Sequence, residues 1–329
     1  MKEKYACGLD IGTSTVKLVK LKFTKEQIEL CNFYLEPIQP DLGPVLKMVT
    51  ESCETKKVNI SVSGPVTVIR YATFLKMNAE ELKQALRFEA AKHIPFSIEE
   101  VNLDSYILKE DLTENKMLVL LAAVKKDFIN QRLKLIQDIG FNANIVDIDS
   151  IALINAFNFN YPQEQSLEHK AVALLNIGSS ISNLNILEDG IPRLSRDIHT
   201  SGNNFTQKLA DIFAMDFKSA ENLKLNPGQE KLQSIIATVE PVFNNLANEI
   251  RVSFDYYESQ SASSVAKIFL SGGGGQLSGL KDILANLLGI EVQYWNPLNK
   301  ISITDSIESK KLEALSSQLA VAIGLALRG

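Results

Sequence analysis

The sequence predicts an α/β protein of two related domains, and three observations carry that expectation. A pattern of apolar strand, polar turn and apolar strand occurs near residue 10 and again near residue 176. Runs alternating apolar and polar residues interleave with runs of helical periodicity, as in proteins that cover a sheet with helices. A length of 329 residues, 45% of them hydrophobic, suffices for two cores of ordinary domain size.

At the amino end Tyr5, Cys7 and Leu9 alternate with polar positions, a Gly-Thr-Ser turn follows, and Val16, Leu18 and Val19 then interleave with lysines. Two strands around a turn are expected. Residues 171–187 repeat the design: setting Leu9 against Leu175 aligns LDIGTSTVKLVKL with LNIGSSISNLNIL, identical at six of thirteen positions. Both copies place the same polar turn between strands, which points to a duplicated domain. Between them, Asn78 and Glu81 have the spacing of a capping box that opens a helix over 79–94, ended by Pro95. The stretches 97–110 and 117–126 read as strands, and a periodic helix over 126–139 stops at Gly140. These form a compact inserted lobe, and the polar stretch 157–170 reads as a linker. Helices are expected over 203–213, 219–225 and 229–261, and a strand over 265–270 that runs into Ser271 and four glycines before a helix over 280–288. The last helix, 310–327, lacks the Lys and Arg enrichment of a membrane-surface helix and reads as a packing helix.

Bulk properties exclude several classes. A net charge of -5 lacks the basic excess that phosphate-backbone contacts need, so no nucleic acid partner is expected. The apolar runs 118–124 and 319–327 fall short of the ~20 residues that span a bilayer, and the start has no signal-peptide pattern, so neither export nor insertion is expected. Cys7, Cys31 and Cys53 match no zinc or disulfide spacing, and His93, His169 and His199 are scattered. No Walker-A sequence and no GxSxG elbow occurs.

The chemistry therefore rests on the turns. Gly12 and Gly178 let a ligand approach bare backbone, while Thr13, Ser14, Ser179 and Ser180 add hydroxyl donors. Hydrogen bonds to a charged acceptor contribute about 1.5 to 3 kcal/mol each, so two facing turns would hold a triphosphate firmly. Either turn alone reads rather as an ordinary Gly-Ser hairpin turn; the pair favours a ligand. Lys17 lies where its ammonium reaches back to a phosphate or simply faces solvent. Asp10 suits a magnesium ion bound through water, or a turn-stabilising role. The tetraglycine 272–275, between a strand and a helix, offers flat backbone to a base or ribose, although it fails the dinucleotide fingerprint.

GLDIGTSTVK at 8–17, LLNIGSSIS at 174–182, AENLK at 220–224 and FLSGGGGQLSGL at 269–280 together resemble the two phosphate motifs, the ribose motif and the adenosine motif of the actin-like ATPase superfamily. Within it the chain resembles the PilM family of type IV pilus assembly proteins, relatives of the cell-division protein FtsA. The likeness runs over essentially the whole chain and is most specific at RFEAAKHIPFSIEEVNLDSYIL, residues 87–108.

The resemblance implies duplicated ribonuclease-H-type domains: a first over 1–160 with an inserted α/β subdomain at about 76–150, and a second over 161–329 with a nucleotide-capping subdomain at about 203–262. It implies ATP or ADP with Mg2+ in the central cleft. Asp10, Gly12, Thr13, Ser14 and Lys17 would serve the phosphates and the metal, with Asp10 holding it through water. Gly178, Ser179 and Ser180 would form the opposing turn, with Gly202 and Asn203 in a second loop near the nucleotide. Glu221 and Lys224 would touch ribose and adenine, and Gly272, Gly273, Gly274 and Gly275 would back the base. The implied role is a cytoplasmic assembly platform, peripheral at the inner membrane, that binds the N-terminal cytoplasmic tail of the membrane protein PilN beside residues 87–108. Coupling to the pilus motor ATPases and self-association belong to the same expectation. One residue departs from the pattern: the second turn normally begins with aspartate, and here it begins with Asn176. Nucleotide binding with slow or absent hydrolysis is expected, and no catalytic residue is assigned. Three alternatives stay open: a small-molecule kinase on this fold, for which no carboxylate base is identified; an FtsA-like filament protein; and a module of type II secretion.

Overall fold

The structure, a computed structural model, describes residues 4–38, 40–51, 53, 55–166 and 170–329. The first half runs β1 (Lys4–Ile11), β2 (Thr15–Phe23), β3 (Ile28–Pro37), α1 (Leu42–Thr50), β4 (Lys57–Val62), β5 (Thr67–Leu75), α2 (Ala79–His93), β6 (Val101–Leu112), β7 (Lys116–Lys125), α3 (Lys126–Asp138), β8 (Asn142–Ile148) and α4 (Asp149–Asn160). The second runs β9 (Lys170–Ile177), β10 (Ser182–Glu188), β11 (Ile191–Ile198), α5 (Gly202–Phe213), α6 (Phe217–Leu225), α7 (Gln229–Glu258), β12 (Ser264–Ser271), α8 (Leu280–Leu288), β13 (Glu291–Tyr294), β14 (Ser302–Ile303), α9 (Ser309–Leu315) and α10 (Ala320–Ala326).

Two sheets share one plan. The first is ordered β14-β3-β2-β1-β4-β8 and the second β11-β10-β9-β12-β13. In each, three strands form an antiparallel meander and two more add in parallel beside the first strand, so among the described residues β14 is the only addition to the common pattern. The duplication read from thirteen residues thus extends to strand order and direction. A third sheet, β5-β7-β6, sits on the first half. Strand β8 pairs with β4 in the large sheet, so the small sheet comprises strands between Thr67 and Lys125.

Helix α2 carries the expected capping box: Asn78 accepts from the Glu81 N–H while the Glu81 carboxylate accepts from the Asn78 N–H, both at 2.9 Å. Within the 87–108 signature, the side chains of residues 87–89, 91 and 93 lie outside the described residues. So do residues 167–169 of the expected linker, among them His169. The linker's first four residues instead close helix α4, where Phe157 is fully buried against Tyr161, Phe269 and Trp295. Asparagines in that stretch suggest a loop, but Asn160 is itself buried. Its amide donates to the carbonyls of Ala156 (2.8 Å) and Pro297 (2.7 Å) and accepts the Lys300 N–H (2.8 Å). Asn160→Ala strands buried partners and is expected to cost about 2 to 3 kcal/mol, read as a lowered urea midpoint at unchanged slope.

The last helix is not continuous. A 3-10 turn at Ser316–Leu319 separates α9 from α10. Its Ser317 carbonyl accepts the Gly272 N–H at 2.9 Å, and Gln276 donates to the Ser317 hydroxyl at 3.0 Å. A tertiary partner therefore meets the stretch where the helix tightens to 3-10 geometry. Helices α4 and α10 lie within one apolar layer that also includes Val19 and Leu21 of the first sheet and Leu174 and Phe269 of the second. Backbone meets backbone there: a Cβ at Gly324 would lie 1.8 Å from the Ala152 carbonyl oxygen. Among the described residues no helix is long and apolar enough to cross a membrane.

Candidate functional site

The β1–β2 and β9–β10 turns are built alike and meet. The Gly12 N–H donates to the Thr15 carbonyl and the Gly178 N–H to the Ile181 carbonyl, each at 3.1 Å. Thr13 Oγ1 lies 2.5 Å from Ser179 Oγ, and the Ser180 hydroxyl donates to Thr13 Oγ1 at 3.0 Å. The start of α5 braces the second turn. The Gly202 N–H donates to the Gly178 carbonyl (2.9 Å), the Asn203 N–H to the Ser179 carbonyl (2.8 Å), and Asn203 Nδ2 to the Ser180 hydroxyl (3.4 Å).

Behind the first turn is a charged centre. Asp10 and Lys17 are register partners across β1 and β2, and the ammonium donates to Asp10 Oδ2 at 3.0 Å. The sequence places Lys17 within reach of a phosphate or in solvent; in the structure it is paired to Asp10, and both line the cleft. Asp149, at the start of α4, faces the same space. Burial and the charge of Asp10 push its carboxyl up to about 6, against the hydroxyls of Ser61 and Ser63 and the Lys17 ammonium. Arg132 of α3 donates to the Ile11 carbonyl at 3.3 Å; burial lowers its pKa, while the charges of Asp149 and Asp10 hold it up. Asp149 and Arg132 escaped sequence reading, because neither lies in a turn or motif and both arrive through the pairing of β8 with β4.

The opposite wall is bare backbone. Gly272 has φ of 86°, and a Cβ there would meet the Ile177 carbonyl oxygen at 2.4 Å, so both conformation and space demand glycine. Gly272, Gly273 and Gly274 line the cleft. Gly275 does not join them: its carbonyl accepts from the Tyr294 hydroxyl at 2.8 Å, on the far side of the loop. Above this wall, Lys224 is buried and donates to the Gly202 carbonyl (3.2 Å) and the Thr206 hydroxyl (2.8 Å), and pairs with Glu221 at 2.6 Å. Burial pulls its pKa down, and the Glu221 carboxylate opposes that shift. Phe217 and Leu225, both exposed, add an apolar edge that sequence reading missed.

One cleft of about 460 Å3 thus gathers Asp10, Gly12, Thr13, Ser14, Lys17, Gly178, Ser179, Ser180, Gly202, Asn203, Glu221, Lys224 and three of the four glycines, with Asn176 beside them. Hydroxyls and turn N–H groups suit an anion, the carboxylate pair suits a cation, and the glycine wall suits a flat ring.

A family model described as type IV pilus assembly protein PilM matches residues 8–329. A solved structure of a PilM–PilN type IV pilus biogenesis complex aligns with a TM-score of 0.87 and 27% identity, covering 98% of each chain. The ethanolamine utilization protein EutJ from Carboxydothermus hydrogenoformans aligns at TM-score 0.59 and 15% identity, over 100% of this chain and 91% of that one. MreB5 of Spiroplasma citri bound to AMPPNP aligns at 0.51 and 11%, over 98% and 95%. The actin-like ATPase fold expected from the sequence is the fold these likenesses share.

Proposed function

The chain belongs to the type IV pilus assembly protein PilM family, and from that premise we propose that it is an ATP-binding platform that captures the N-terminal cytoplasmic tail of a PilN-type inner-membrane protein. The observation that carries this reading is full-length likeness to a PilM–PilN complex, joined to a cleft whose two facing turns come from equivalent positions of the duplicated fold.

The donor set of the cleft fits the nucleotide: the hydroxyls of Thr13, Ser14, Ser179 and Ser180 and the Lys17 ammonium line it together with the bare backbone of Gly272, Gly273 and Gly274. In this reading residues 1–160 and 161–329 form two lobes that hold ATP between them. Thr13, Ser14 and Lys17 bind phosphate from one side, Ser179, Ser180 and Asn203 from the other. Glu221 and Lys224 serve ribose and adenine, and Gly275 supports the wall from behind. Asp10 and Asp149 fit a divalent cation, since both line the cleft and the charge of Asp10 helps to raise the pKa of half-buried Asp149. Bound Mg2+ would neutralise phosphate charge, and Asp10 and Asp149 would orient its water ligands.

Slow turnover rests on Asn176 alone now that Asp149 supplies a half-buried carboxylate. An aspartate about 5 Å from a divalent cation would contribute up to about 6 kcal/mol at an effective dielectric near 20, before desolvation is counted, and asparagine forfeits that charge. ATP then acts as a structural ligand that biases lobe closure through its preference for the closed state. The PilN tail docks beside residues 87–108, which places the protein at the cytoplasmic face of the inner membrane through its partner; coupling to motor ATPases and self-association belong to the same reading.

Calorimetric titration with a synthetic PilN N-terminal peptide is expected to show binding that tightens with MgATP. No heat of binding in either condition would remove the platform reading. Phosphate release from MgATP should stay well below about 1 s−1; turnover above that, lost in Asp10→Ala, would overturn the structural-ligand role.

A further inference from the structure

We propose that Asn176 makes the second turn a direct donor to phosphate in place of a cation-binding element, so that the cleft takes metal-free nucleoside triphosphate nearly as well as its magnesium complex. The inference rests on the nucleotide reading of the cleft.

Asn176 stands on β9 next to the second turn and lines the cleft. Its register partner on the parallel strand β12 is Ser271, so both side chains project to one side of the sheet. The Ser271 hydroxyl donates to Asn176 Oδ1 at 3.3 Å, and that oxygen lies 2.7 Å from where a Gly272 Cβ would sit. The oxygen end of the amide is thereby turned toward β12 and its glycine loop. An amide is planar and its two ends diverge, so Nδ2 is the end left for the cleft, and it carries only donors. A carboxylate there offers only acceptors, which repel phosphate oxygens unless a cation stands between.

The charges of the wall agree. Asp10 is paired with Lys17 and Glu221 with Lys224, while Asp149 feels the charge of Asp10 and, less, of Lys17. Two of the cleft's carboxylates thus already hold a cation of their own. A further acid at position 176 would leave the phosphate side in excess of negative charge and make Mg2+ obligatory; asparagine removes that requirement.

Calorimetric titration with ATP in excess Mg2+ and in EDTA tests this on wild type, N176D, N176A and S271A, with thermal unfolding to verify folding. Wild-type affinities in the two conditions should differ by less than about tenfold. N176D should lose about tenfold or more in EDTA and stay within a few-fold in Mg2+, whereas N176A should weaken in both alike. S271A frees the amide to turn and should lose part of the EDTA affinity, which keeps the test decisive if N176D does not fold. Equal Mg2+ dependence in wild type and variants overturns the role of Asn176 and leaves the nucleotide site standing. No ATP binding by wild type in either condition overturns the site and this role with it.

Discussion

Gly324→Ala is expected to lower the unfolding free energy by about 3 kcal/mol, with a matching fall in urea midpoint. In an exposed helix the same change would stabilise by about 1 kcal/mol, because alanine is the better helix former. Here the new Cβ would lie 1.8 Å from the Ala152 carbonyl oxygen and 2.5 Å from its carbon, and no rotamer relieves a clash with backbone. Helix α10 must back away from α4, opening the apolar layer where Leu153, Phe157 and Ile323 pack. Gly43→Ala in α1 is the control: the nearest atom to its Cβ would be Asp41 Oδ1 at 3.4 Å, an ordinary contact, so stability should hold or rise slightly. Equal stability of the two variants would show that the helices separate without cost and that the crossing does not hold the halves together.

Lys17→Met is expected to cost about 3 kcal/mol and to weaken ATP binding by about tenfold or more. Lys17 and Asp10 side chains are 15% and 9% exposed, so the pair is shielded from water far more than a surface salt bridge. Removing the ammonium leaves Asp10 beside Asp149, whose carboxyl is already pushed up by burial and by Asp10. Two neighbouring carboxylates, one buried and one half-buried, without their lysine are the costly state, more than the missing attraction itself. The double variant Asp10→Asn/Lys17→Met should therefore recover most of the stability and none of the nucleotide affinity. A cycle built from urea titrations isolates the coupling. An unchanged midpoint in Lys17→Met would mean that water reaches the pair and screens it.

The features legible in the sequence are those set within a few residues. The turns at 12–14 and 178–180 depend on a small polar run between alternating strands, and the capping box at Asn78 and Glu81 spans three residues. The glycine run at 272–275 announces close backbone approach, which the structure realises against Ile177 at Gly272 and Gly274. Motif order along the chain then sufficed for the fold and for most of the cleft lining, including Glu221 and Lys224 on one turn of α6.

What local pattern missed depends on chain segments far apart. Asp149 reaches the cleft, and Arg132 the Ile11 carbonyl beside it, because β8 joins the first sheet, and no periodicity marks either residue. The 310–327 stretch reads as one helix but carries a 3-10 turn where Ser317 meets Gly272, and 157–160 reads as linker until Phe157 finds Phe269 and Trp295. Lys17 could face solvent until the pairing of β1 with β2 sets it opposite Asp10. By itself the sequence determined the duplicated α/β plan, the family and the two turns, because backbone conformation and strand alternation are written residue by residue. Only the tertiary structure decided which charges share the cleft, which glycine turns away from it and where the last helix breaks, because burial and pairing belong to segments that meet only when the chain is folded.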